Sequence, residues 1–128
     1  MNRRLFIGTL LAAALAVSPA AAITPQAYTA QAFGAAQAAG KPILLHITAS
    51  WCPTCRAQKP ILSMLEAEPK FKELVTFDID FDTSKALLRQ LRVSQQSTMI
   101  VYKGKQEVAR STGDTDASSI EALLDKAL

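Results

Sequence analysis

Cys52 and Cys55 lie three residues apart in the stretch Ala49-Ser50-Trp51-Cys52-Pro53-Thr54-Cys55-Arg56, and the 128-residue chain has no other cysteine. Two sulfurs at this spacing admit a structural cross-link, a metal clip or a reversible redox pair. As a cross-link the pair closes almost no loop, so it removes little entropy from the unfolded chain. A structural zinc site takes four ligands, and beyond the two sulfurs the chain has one His. A site made of two thiolates with His46, or shared with a second chain, stays open.

The elements around the pair favour the redox reading. Ile43 to Thr48, "ILLHIT", is a short apolar run of strand formers, as in a strand buried on both faces. The motif then opens a helix to about Ala67, with Pro60 inside it as a kink. This junction puts Cys52 at a helix N-terminus, where free backbone N–H groups and the helix dipole favour a thiolate. Cys55 follows one turn later, within bonding reach and more buried. Cys52 is then the attacking sulfur, Cys55 resolves the mixed disulfide, and Pro53 suits a first turn that asks no N–H of it.

The remaining elements read in order. Thr24 and Pro25 open a first helix that ends at Gly40, with Tyr28, Ala32 and Ala35 or Ala36 as its buried stripe and Phe33 beside it. Leu74 to Phe81 alternates as a strand, and Thr83 to Leu91 is a helix capped by Asp82 or Thr83. Residues 98–103 and 107–111 form a hairpin about Gly104-Lys105. Gly113 breaks the chain, and Asp116 caps a last helix. This alternation predicts an α/β fold with a mixed sheet, parallel through the crossovers and antiparallel at the hairpin. Met64 and Met99 are expected as core filler. Asp80 and Asp82 are expected at a strand end and a cap.

Across residues 25–128 the sequence resembles the thioredoxin-like family. The resemblance rests on Ala49, the WC-x-x-C of Trp51 to Cys55, Pro60, Asp82 after the second strand, Thr98 opening the hairpin, and Gly113. It implies dithiol–disulfide exchange with protein substrates, no bound cofactor, and a central mixed sheet flanked by helices. The family's usual first strand is missing or vestigial here. The substrate is expected along Trp51, Pro53 and Thr54 of the motif and Ser97 and Thr98 of the loop facing it.

Three positions depart from the family pattern. Many members carry a cis proline before the position of Thr98; here it is Ser97, whose preceding peptide is expected to be trans. That proline shapes the substrate groove and discourages metal capture, so Ser97 bears on both. Its hydroxyl either bonds the Cys52 sulfur or belongs to a simple loop serine. The buried Asp of thioredoxins falls on His46, and its Lys partner on Asp78. The pair is thereby kept with its signs exchanged, beneath Cys55. A carboxylate-held His suits a thiol as proton acceptor, so His46 and Asp78 are candidate catalytic residues, the alternative being a polar pair satisfied within the sheet.

The first 22 residues read as a signal peptide, with residues 23–128 as the thioredoxin-like domain. Asn2-Arg3-Arg4 is a basic start, Leu5 to Val17 an apolar run, and Ser18 to Ala22 a small-residue cleavage site. An uncleaved anchor is the competing reading, and Arg3-Arg4 also resembles a twin-arginine signal. Either route exports the chain, to the periplasm of a bacterium. Loss of Arg3 and Arg4 takes the 14 Lys and Arg to 12 against 11 acidic residues, a net +1. No basic cluster then remains to hold nucleic acid. An exported reductase needs electrons from the inner membrane, so a membrane-embedded thiol transporter is the expected partner. A disulfide oxidase or isomerase is one alternative. Another is a chaperone that holds copper, zinc or an iron–sulfur cluster.

Overall fold

A computed structural model describes residues 24–128; the expected signal peptide lies outside the described residues. In chain order the elements are β1 (Gln26–Ala27), α1 (Ala30–Ala38), β2 (Pro42–Thr48), α2 (Pro53–Glu66), a 3₁₀ turn at Pro69–Phe71, β3 (Val75–Asp80), α3 (Lys85–Leu91), β4 (Thr98–Lys103), β5 (Gln106–Thr112) and α4 (Ala117–Asp125). The sheet order is β1-β3-β2-β4-β5. β1 and β2 run parallel to β3, and β4 is antiparallel to both β2 and β5. This is the mixed α/β sheet flanked by helices that the alternation predicts. The first strand is indeed vestigial, two residues long. Among the described residues no helix is long and apolar enough to cross a membrane.

β2 is the central strand and is buried from Ile43 to Ile47. Alternate side chains divide between two cores. Ile43, Leu45 and Ile47 join Phe77, Ile79, Ile100 and Tyr102 on the α1 and α3 side. Leu44 joins Met99, Val101, Leu62, Leu65 and the α4 residues Ile120 and Leu124 on the other. His46 shares the parity of Leu44, so it faces α2, beside Asp78 of β3 on one flank and Met99 of β4 on the other. Ring contacts among Tyr28, Phe33, Phe77 and Tyr102 fill the opposite side.

The structure corrects three sequence expectations. The first helix does not begin at Thr24 and Pro25: Gln26 and Ala27 pair with Phe77 and Asp78, and the helix starts at Ala30. Its cap is Thr29, whose Oγ1 accepts the Ala32 N–H at 3.1 Å. Thr24-Pro25 and Thr29 both carry start signals, and the open edge of β3 decides between them. Neither Asp82 nor Thr83 caps α3. Ser84 occupies the cap position without a side-chain bond, while Asp80 accepts the N–H groups of Asp82 and Thr83, both at 2.9 Å. Met64 is not core filler but 65% exposed, because the inward stripe of α2 runs through Leu62, Leu65 and Glu66.

Two turns set the sheet ends. Gly40, at φ +68°, ends α1 in the left-handed region, where glycine has no Cβ to clash. Gly104, at φ +57°, turns the hairpin and donates its N–H to Lys41 O at 2.9 Å. Helix α2 continues through Pro60 rather than stopping there.

Candidate active site

The cysteine pair sits where β2 hands the chain to α2. Cys52 is the N-cap of α2, with extended backbone, and Pro53 follows in the first turn. The Cys55 N–H points back at Cys52 Sγ, 3.1 Å away. The two sulfurs form a disulfide across a Cα–Cα distance of 5.3 Å. Cys52 is 1% and Cys55 0% exposed, so the expected difference in burial between them is almost absent in the oxidised state. Ala49 and Phe81 complete the small apolar cluster around the bond.

Trp51 stands at the rim, 52% exposed, with its Nε1–H donated to Asp82 Oδ2 at 2.8 Å. Asp82 thus anchors the tryptophan rather than a helix. Pro53 is exposed and Thr54 half-buried beside it. Ser97 and Thr98 are buried instead. The Thr98 hydroxyl is spent on Gln95 O and Thr112 Oγ1.

Ser97 does not bond the Cys52 sulfur: its hydroxyl donates to Gln96 O at 2.6 Å, the acceptor its own loop brings nearest. All described peptide bonds are trans, that before Ser97 included. Ser97 adopts φ +57°, a left-handed backbone that costs a non-glycine residue energy. Two donors on its carbonyl offset that cost, the Gly113 N–H at 3.0 Å and Gln58 Nε2 at 3.1 Å.

His46 is 1% exposed, and Asp78 lies beside it as the sequence suggests, though not as its hydrogen-bond partner. Asp78 Oδ1 lies 3.7 Å from Nδ1, near enough for an ion pair and too far for a hydrogen bond. The short bond is from Nε2 to Gln58 Oε1, at 2.9 Å. Among the described residues His46 hydrogen-bonds no cysteine. It borders a cavity of about 120 Å³ that Asp78, Glu66, Thr76 and Lys59 also line and neither cysteine reaches. Glu66 is 4% exposed; burial pushes its carboxyl up, and the hydrogen bond from Thr76 Oγ1 at 2.6 Å opposes that in part.

Sequence reasoning missed Gln58, Glu66 and Thr76. The signal for Gln58 was present: Cys55, Gln58, Leu62 and Leu65 fall at helical spacing on one face, so a polar side chain interrupts a buried stripe. Among the described residues no three His, Cys, Asp or Glu side chains gather in a way that could hold a metal ion.

A disulfide across the first turn of a helix, at the end of a central strand, defines the class: a thiol–disulfide oxidoreductase. The thioredoxin family model matches residues 24–126, and the chain belongs to that family, which acts on protein disulfides. It is 46% identical to Trxlp from Edwardsiella tarda EIB202, whose crystal structure superposes with a TM-score of 0.77 over 79% of this chain and 98% of that one. It is 34% identical to a thioredoxin of Chlamydia muridarum over 84 residues, 66% of this chain and 80% of that protein. A bifunctional thioredoxin reductase/thioredoxin of Mycobacterium leprae is 30% identical over 73% of this chain, which spans only 20% of that longer protein.

Proposed function

We propose that the chain is an exported reductase of protein disulfides, working in the bacterial periplasm and recharged by a membrane-embedded thiol transporter. The Cys52–Cys55 disulfide at the mouth of α2 carries the redox part of this reading. The basic start, apolar run and small-residue break of residues 1–22 support export.

The reaction follows from the placement of the sulfurs. In the reduced protein the Cys55 N–H and the end of α2 stabilise a Cys52 thiolate. That thiolate attacks one sulfur of the substrate disulfide. A Cys52–substrate bond forms, the substrate bond breaks, and the departing thiolate takes up a proton. Cys55 then gives up its proton, which solvent carries to His46 because no hydrogen bond joins the two side chains, and attacks Cys52 Sγ. The enzyme disulfide forms, and the second substrate sulfur leaves as a thiolate and takes the proton held by His46; the first took its proton from solvent. Two electrons have passed from enzyme to substrate, and a transporter dithiol restores the reduced pair. Trp51 and Pro53, both exposed, and the half-buried Thr54 form the rim on which a substrate rests, while Ser97 and Thr98 hold the loop beside it.

The steady-state redox form in growing cells tests this reading. Acid quenching and alkylation are expected to find Cys52 and Cys55 largely reduced in the periplasmic fraction, and oxidised when the membrane electron supply is removed. A protein that stays oxidised in both conditions contradicts the reductase assignment.

A further inference from the structure

Gln58 is 0% exposed, on the inward stripe of α2 one turn past Cys55. Its amide makes three hydrogen bonds. Nε2 lies 3.1 Å from Ser97 O and 2.9 Å from Asp114 O, and Oε1 lies 2.9 Å from His46 Nε2. A carbonyl oxygen only accepts, so the end of Gln58 facing two carbonyls is its NH₂, with both hydrogens spent there. The other end is the amide oxygen, which also only accepts. His46 Nε2 therefore carries a hydrogen. In the neutral ring this leaves Nδ1 as the one nitrogen with a lone pair.

We propose that Gln58 is a positioning residue that locks His46 in its Nε2–H form, so that any proton this histidine takes up or releases passes through Nδ1, on the side of Asp78 and the cavity. The kinetic consequence rests on the reading of His46 as acceptor of the Cys55 proton. The arrangement inverts the one that a His–carboxylate pair suggests, in which the carboxylate holds an N–H and the far nitrogen is free. Here a proton reaching Nδ1 converts the 3.7 Å contact with Asp78 into an ion pair. The Asp78 side chain is 37% exposed and opens the way to solvent. The other charged groups around His46 are Glu66 and Lys59 of α2, across the cavity, while its β4 neighbour, Met99, is apolar.

The same amide fastens the Ser97 carbonyl. Where many family members fix this loop with a proline ring, this chain fixes it from beneath with a side-chain NH₂. Ring tautomer and loop position therefore share one anchor on the helix that bears the cysteines.

The chain has a single His, so long-range proton–nitrogen NMR of the reduced, nitrogen-15-labelled mature protein reads the tautomer directly. The expected wild-type spectrum, at a pH where the ring is neutral, shows Nε2 protonated and Nδ1 bare. Gln58→Glu, which keeps an acceptor for Nε2, is expected to retain that form, and Gln58→Met to lose it. A wild-type ring protonated on Nδ1 overturns the lock without any variant having to fold. An unchanged tautomer in Gln58→Met overturns it as well.

Resolution is followed separately, as release of a coloured aryl thiolate from its mixed disulfide with Cys52. His46→Ala is expected to slow release by roughly 10²-fold, the low end for a placed proton acceptor. Gln58→Met is expected to slow it less and to shift its pH profile. Wild-type resolution in His46→Ala sinks the relay reading and the kinetic half of the proposal; the spectrum still decides the lock.

Discussion

Glu66 shows at the scale of one residue how the fold sets a charge. It lies on the inward face of α2 with the Thr76 hydroxyl on its Oε1. Burial raises its carboxyl above the ordinary range; the Thr76 bond works against this, the Asp78 charge adds to the rise, and His46 opposes it. The folded chain thus holds this proton to higher pH than the unfolded chain does. The stability it contributes is complete below the ordinary carboxylate range and is lost as pH rises through the folded value. Glu66→Gln keeps an acceptor for Thr76 and cannot ionise. Its urea midpoint is predicted to exceed that of the wild type at about pH 7.5 and to match it at about pH 4. Equal midpoints at both pH values contradict this account.

At the scale of elements, α1 is held at its start by one hydroxyl. Thr29→Ala removes the acceptor for the Ala32 N–H and is predicted to cost about 1 kcal/mol in denaturant unfolding, the usual value of such a cap. A loss below about 0.3 kcal/mol shows that the Thr29 cap is not what holds α1. The same helix shows what the sequence could and could not specify. Ile43 to Thr48 and Thr98 to Lys103 declare themselves as strands because their apolar runs have few other homes. Gln26 and Ala27 carry no such pattern; only their pairing with the edge of β3 makes them a strand, and that edge is remote in sequence. The start of α3 was misread for a related reason. Asp80, Asp82 and Thr83 can all cap, and the strand end that holds Asp80 gives it both N–H groups. The motif Trp51 to Cys55 was legible because its function is local. The partners of His46 were not, since the His46–Asp78 spacing depends on the register of β2 with β3 and the Gln58 bond on how α2 lies over the sheet.

At the scale of the whole molecule, the order β1-β3-β2-β4-β5 puts β2 at the centre and brings the loops after β2, before β4 and after β5 to one end. The Gly113 N–H on Ser97 O and the Gln58 bridge to Asp114 O tie these loops to each other and to α2. The disulfide therefore rests in a frame fastened on several sides, with Trp51 and Pro53 exposed at its rim. Such a frame suits a pair that opens and closes while the surrounding fold stays fixed. The most direct test is the equilibrium of Cys52 and Cys55 with defined thiol–disulfide buffers, on metal-free protein. Reversible cycling at a potential near about −270 mV, that of thioredoxin, is the predicted result. A potential near about −120 mV, or a pair that does not cycle, contradicts a reductase.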